Sequence, residues 1–318
     1  MVWALLLALS QPQAAPCSAT DIAELTRPAS TPYALACQAV LSPQQSITRP
    51  IIIEGQQASG TVLDCNNGSV GTPDVPVTAS IPTIAIRSTK GADGRWSAPT
   101  GVTIRNCQIF GAIRIWGMGA DGSYDDLRAS SHQVNHTQNA QAAAPSHVRL
   151  EDLLIIANGT IPVYVGPGAT YVTLYRSMLT GRSQATALYL DAESAHNVIT
   201  DNHILVRGSR EAIAIDGSAH NLIRGNRIDM NGKPGILLYR NCGERGVVRH
   251  QTPSHNLITD NVFTGGPWFN RRLVVENARN GRRSYCGDDA GYLYGSSIDD
   301  RDGGTENAIR NNRHRQWQ

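Results

Sequence analysis

Two aspartates, Asp191 and Asp216, close the matching phrases LYLD and IAID, one repeat apart in the chain. Carboxylates held close together on a rigid surface can share a proton, bind a hard cation such as Ca2+, or act as an acid/base pair on a glycosidic bond. Aromatic residues recur in equivalent phrases: Trp116 in IRIW, Tyr164 in VYVG, Tyr189 in LYLD and Tyr239 in ILLY. Rings beside carboxylates suit a carbohydrate, whose faces are apolar and whose edges carry hydroxyls. A basic segment follows directly, Tyr239 to Ser254 (YRNCGERGVVRHQTPS), with Arg240, Glu244, Arg249 and His250. Arg249 or His250 is the candidate for proton transfer, and Arg240 or Lys233 the candidate for neutralising an anion. Arg271 and Arg272, further on, suit bidentate recognition of carboxylate or sulfate. Plainer readings stand beside these. Asp216-Gly217-Ser218 can simply close a strand and cap a bend, and the basic segment can be a surface loop pinned by a disulfide.

The elements that must position these residues are visible as a repeat. HNVITDNHI begins at His196, HNLIRGNRI at His220, HNLITDNVF at His255, and a weaker ENAIRNNRH at Glu306. Apolar and polar residues alternate over a few positions, an Asn marks a bend, and another short strand follows. The step from Asn197 to Asn221 is 24 residues (221 − 197), a period that signals a solenoid whose coils bury their apolar sides only by stacking. Slid backwards, the pattern also starts at 102, 148 and 172, and the step of 51 (307 − 256) reads as two coils. Each coil carries a second strand, which puts Arg114, Tyr164, Tyr189, Ala214 and Leu237 in one outward column. Trp116, Gly166, Asp191, Asp216 and Tyr239 form another, facing water. Asn202, Asn226 and Asn261 should stack as an inward ladder. His196, His220 and His255 should line up along one bend, for packing rather than for a metal. The expected class is all-β, a right-handed parallel β-helix with coils of about 24 residues.

The N-x-I-x-x-N-x-I phrases resemble the PbH1 repeats of right-handed parallel β-helix proteins, the pectate-lyase-like superfamily, over residues 50–315. The resemblance implies that fold and a family of polysaccharide lyases, glycoside hydrolases, uronan C5-epimerases, phage tail spikes and periplasmic binding proteins. The DPHD-type signature of alginate epimerases is absent.

Composition agrees with a solenoid. The 318 residues are 41% hydrophobic but only 6% aromatic, with three Phe and thirty Gly. The formal charge is +2, and no dense Lys/Arg block or aromatic platform points to nucleic acid. Residues 1–15 read as a signal peptide, 16–50 as an N-terminal cap, and 51–318 as the β-helix, with insertions near 119–145, 239–254 and 277–304. No stretch is long and apolar enough to cross a bilayer. Six cysteines fit an oxidising compartment, with Cys17–Cys37 and Cys242–Cys286 as expected bridges and Cys65–Cys107 as a third bridge or two buried thiols. The expectation is a secreted or periplasmic monomer acting on an acidic polysaccharide by proton abstraction, as a lyase or epimerase, with Ca2+ as an option at Asp191 and Asp216. The alternatives are a glycoside hydrolase using the same pair with Glu193 or Glu211 nearby, and a carbohydrate- or surface-binding protein without catalysis.

Overall fold

The structure, a computed structural model, describes residues 13–315 except 44, 74, 76, 120–123, 244–245, 267–271 and 280–302. Three parallel sheets, each of nine strands among the described residues, run along the molecule, and every coil contributes one short strand to each. The first sheet holds Ile84–Arg87, Ile113–Trp116, Val163–Val165, Leu188–Leu190, Ile213–Asp216 and Ile236–Tyr239. The second holds the Asn-x-Ile strands such as Val198–Thr200, and the third holds those after the bend, such as Arg227–Asp229. Ile, Leu and Val of all three point into one continuous core: Ile86, Ile115, Val165, Leu190, Ile215 and Leu238 are wholly buried. The alternating pattern is what a half-buried strand requires, and β-branched residues fill the pleat well.

The bends are built by residues in the left-handed region. His147, Tyr171, His196, His220 and His255 all have φ between 54° and 58°, and their rings stack in one exposed column with centroids 4.7–5.0 Å apart. Burial, then the neighbouring imidazoles of His196 and His255, pushes the His220 ring below its ordinary pKa. Among the described residues no group of three or more His, Cys, Asp or Glu is arranged to hold a metal.

The Asn ladder forms, and it is double. Asn202 Nδ2 donates to Asn226 Oδ1 at 3.0 Å, Asn226 to Asn261 at 2.9 Å, and Asn261 to Asn312 at 2.9 Å. A second row, Asn197, Asn221, Asn256 and Asn307, repeats the pattern at 3.0, 2.7 and 3.0 Å.

Three expectations are corrected. The solenoid starts before Ile51, because Tyr33–Ala34, Gln38–Val40 and Ser46–Ile47 already supply a rung to each sheet; only helix α1 (Ala19–Thr26), held by a Ser18–Asp21 capping box, stands outside the rungs. The step of 51 is one coil rather than two, since Leu257–Thr259 pairs directly with Ala308–Arg310. The excursion at 119–145 contains helices α2 (Asp125–Ser131) and α3 (His136–Ala142). Asp125 and Asp126 suit the first turn of α2 through the helix dipole.

Cys17–Cys37 and Cys65–Cys107 are bridged. Cys242 is also disulfide-bonded; its expected partner Cys286 lies outside the described residues, as do residues 1–12 of the expected signal peptide. Among the described residues no helix is long and apolar enough to cross a membrane.

Candidate functional site

The outward column exists in register. Arg114 pairs with Tyr164, Tyr164 with Tyr189, Tyr189 with Ala214 and Ala214 with Leu237. In the neighbouring column Arg87 pairs with Trp116 and Asp216 with Tyr239. This face is not bare, however. Residues 246–254 and the α2–α3 pair fold across it and hold each other: Val248 N–H donates to Ser131 Oγ at 2.9 Å, and His250 Nε2 lies 2.8 Å from the Ser131 carbonyl. Glu193 accepts from Thr137 Oγ1 of α3 and from the His250 N–H at 2.9 Å, so one carboxylate fastens both insertions to the coil. Gly168 (φ +77°) is required beneath α3, because a Cβ there would stand 2.3 Å from the Ala140 carbonyl oxygen.

This cover corrects the expectation that Asp191 and Asp216 face water. Asp191 is 6% exposed and Asp216 is 0% exposed. Asp191 accepts from Tyr164 Oη, from the Ala192 N–H at 2.8 Å and from Arg249 Nη1 at 2.7 Å. Asp216 accepts from Tyr189 Oη at 2.5 Å and from the N–H and Nδ2 of Asn241, both at 2.7 Å. Burial raises the Asp216 carboxyl above its ordinary value against the opposing pull of Arg249. Every oxygen of the pair is thus engaged by a donor, and Arg249 stands where a cation would. These residues do not fit Ca2+, which needs free oxygen ligands.

The tyrosines divide between two environments. Tyr189 and Tyr239 pack with Ala214 and Leu237 into a second apolar cluster under the insertion, so neither presents a ring to solvent. Tyr239 Oη donates to Glu211 Oε1 at 2.8 Å, and burial, then Glu211, lifts its pKa far above the ordinary value. Tyr164 instead reaches a cavity of about 510 Å³ between the sheet and the insertions, lined also by Arg87, Arg114, Trp116, Asp191, His136 and Arg249. Lys233 lies exposed in the turn before its strand, and Arg272 is exposed on the next coil. Lys233, Arg240, His250 and Arg272 do not line the cavity. Glu244 and Arg271 lie outside the described residues.

Three cations meet at this cavity. Arg87 is paired with Glu54 at 2.7 Å, and Arg249 with Asp191. Arg114 differs. It is 6% exposed, its Nη2 donates to Thr160 Oγ1 at 3.0 Å, and its guanidinium lies 4.7 Å from the centre of the Tyr164 ring. Its Nε is buried without a partner, as is that of Arg249, and Arg114 makes no ion pair among the described residues. Burial pulls the Arg114 pKa below its ordinary value. For Arg249 burial also pulls down, but the Asp191 and Asp216 carboxylates outweigh it and hold the guanidinium well above the ordinary value. Arg249 is therefore a permanent cation, not a base. A buried guanidinium without a carboxylate is costly unless an anion completes it.

His136 bonds through Nδ1 to Ser130 Oγ at 3.0 Å. Burial lowers its pKa from 6.5 to about 4, with His250 and Arg249 adding to the effect against Glu193. The folded protein then holds fewer protons than the unfolded chain between pH 4 and 6.5. Stability from this ring is complete above pH 6.5 and is lost as pH falls toward 4. The loss amounts to roughly 3 kcal/mol at the limit. His136→Asn should remove that part of the acid dependence, read as the urea midpoint against pH.

Arg87 and His136 were not among the residues expected from the sequence. The phrase IAIR at Ile84 carries the same signal as IAID and could have revealed Arg87. No sequence signal places His136 opposite the sheet, since it arrives on a helix from another part of the chain.

A family model for the right handed beta helix region matches residues 95–313. The chain belongs to this family. Solved structures of similar fold include the periplasmic alginate epimerase AlgG, 12% identical with a TM-score of 0.40 over 91% of this chain and 68% of that one. The Streptococcus pneumoniae surface protein and adhesin PfbA is 11% identical with a TM-score of 0.42 over 87% and 77%. The enzymatically active domain of bacteriophage CBA120 tailspike protein 2 is 11% identical with a TM-score of 0.38 over 90% and 42%. Likeness at this level is a likeness of fold. The curated proteins contain no match.

Proposed function

We propose that the protein takes an acidic, uronate-containing saccharide into the arginine-lined cavity and acts on it by proton abstraction at the carbon bearing the carboxylate. The observation that carries this reading is Arg114, a buried guanidinium beside an aromatic ring that, among the described residues, has an unpartnered Nε and makes no ion pair, the nearby Asp191 carboxylate being paired with Arg249. A substrate carboxylate is the missing partner, and Arg114 with Arg249 would stabilise the charge that grows on it as the proton leaves. Trp116 and Tyr164 would lie against the sugar ring. With its own proton on Nδ1, His136 offers a lone pair at Nε2 to accept the carbon-bound proton. In β-elimination the leaving oxygen takes a proton from the Tyr124 hydroxyl, which lines the cavity, and a carbon–carbon double bond forms. In epimerisation the same donor returns a proton to the opposite face. Arg249 thus passes from candidate base to carboxylate neutraliser, and His250 to a residue that positions the roof.

Binding without turnover is a second reading, favoured because every carboxylate oxygen of Asp191 is already engaged within the protein. Hydrolysis by Asp191 and Asp216 is disfavoured by the complete burial of Asp216. The disulfides support an oxidising compartment, outside the cytoplasm, as the place of action. The test is a panel of uronate and sulfated polysaccharides in deuterated water. Unsaturated product means elimination, deuterium at the acidic carbon without cleavage means epimerisation, and new reducing ends alone mean hydrolysis. Absence of both binding and exchange on every uronate polymer would overturn the proposal.

A further inference from the structure

A separate pair of cations stands at the corner where the third sheet turns toward the first. The strand Met178–Ser183 runs longer than most in the molecule, and Arg182 sits in register with Asn158 on one side and Arg207 on the other. Backbone hydrogen bonds hold that register: Arg207 N–H donates to the Gly181 carbonyl at 2.9 Å, and Ser183 N–H to the Arg207 carbonyl at 3.1 Å. Both arginines are exposed. Like charges directly opposite on neighbouring strands, about 4.8 Å apart at the backbone, are destabilising. Several other exposed arginines are matched: Arg105 with Asp64, Arg149 with Glu151 and Arg176 with Asp152. Arg182 and Arg207 make no ion pair and no side-chain hydrogen bond among the described residues.

Both also line two adjoining surface concavities, of about 430 and 670 Å³. Gly159, Gly181 and Gly208 leave the floor open, and Ser183, Gln184 and Ser209 supply small polar walls. The carboxylate in the smaller concavity, Asp229, spends its Oδ1 on the Asn231 N–H at 3.0 Å.

We propose that Arg182 and Arg207 form a second oxyanion site, outside the cavity, that takes a carboxylate or sulfate group of a polyanionic saccharide. Two guanidinium forks on adjacent rungs can share the oxygens of one such group, and the anion removes the repulsion that the register imposes. The site goes beyond the cavity reading and does not depend on it, because an anionic chain held here need not be chemically altered.

The test is affinity electrophoresis at low salt through gels carrying polygalacturonate or dextran sulfate, with the double variant Arg182→Gln/Arg207→Gln made in the wild type and in Arg114→Gln. Both positions are exposed, so folding should be unaffected. The expected result is an apparent Kd raised about tenfold by the double change, by the same factor in both backgrounds, with Arg182→Lys/Arg207→Lys restoring much of it. Unchanged retention on both polymers overturns the site. A double variant that loses only binding of inorganic sulfate, with polymer retention intact, shows a small-ion site and overturns its assignment to a saccharide.

Discussion

Arg249→Ala should lower turnover of a uronate polymer by about a hundredfold or more and also destabilise the fold. The two effects have different origins. Arg249 reaches from the roof into the cavity wall and pairs with Asp191, whose side chain is only 8% exposed. Removing one member of such a pair leaves a buried charge uncompensated, at a cost of about 3–5 kcal/mol. Asp191 would keep only the Tyr164 hydroxyl and the Ala192 N–H. Adding Asp191→Asn to Arg249→Ala should restore part of the stability, because only Asp216, whose carboxyl burial already raises, is then left without the guanidinium, while activity stays lost. Urea unfolding and a polymer assay on the same three proteins check this. If the double variant regained activity along with stability, Arg249 would be only a clamp for the roof.

The second large effect is expected in the scaffold. Asn226 is wholly buried and its amide is fully engaged: Oδ1 accepts from the Asn202 N–H and Nδ2, both at 3.0 Å, and Nδ2 donates to the Ile199 carbonyl and to Asn261 Oδ1, both at 2.9 Å. Asn226→Ala leaves two donors of Asn202 without partners in a dry interior and takes one hydrogen bond from the Ile199 carbonyl. At about 1–3 kcal/mol for each unsatisfied group, the loss should be about 4 kcal/mol or more. Asn226→Leu should be no better, since volume does not replace the hydrogen bonds. Because a solenoid's coils contact only their neighbours, amide exchange should rise most in the coils holding Asn202, Asn226 and Asn261. A loss below about 1 kcal/mol would show that the ladder is ornamental.

These two sites differ in how far the sequence reveals them. The ladder is local information repeated: Asn at a fixed place in each phrase can only stack on its copy one coil away. The same logic places Arg114, Tyr164 and Tyr189 in one column, as observed. What the repeat cannot show is what covers a face. Asp191 and Asp216 are outward in register, yet buried, because Asn241, residues 246–254 and the α2–α3 pair return over them from distant positions. Tyr189 and Tyr239 become core for the same reason, while Arg114, merely one member of the column in the repeat, becomes a buried guanidinium lining the cavity. His136 was invisible because the excursion carrying it has no repeat to anchor it. The coil after Asn256 was overcounted because an insertion and a coil contribute residues to the spacing alike; only strand pairing separates them.

In the proposed function Arg114 awaits a carboxylate. Calorimetric titration of the wild type and Arg114→Gln with a short uronate oligosaccharide, and with its methyl ester, tests this most directly. The acid should bind the wild type at least about tenfold more tightly than either the ester binds the wild type or the acid binds Arg114→Gln, as loss of a charge-assisted hydrogen-bonded pair requires. Equal affinity in all three titrations would contradict it.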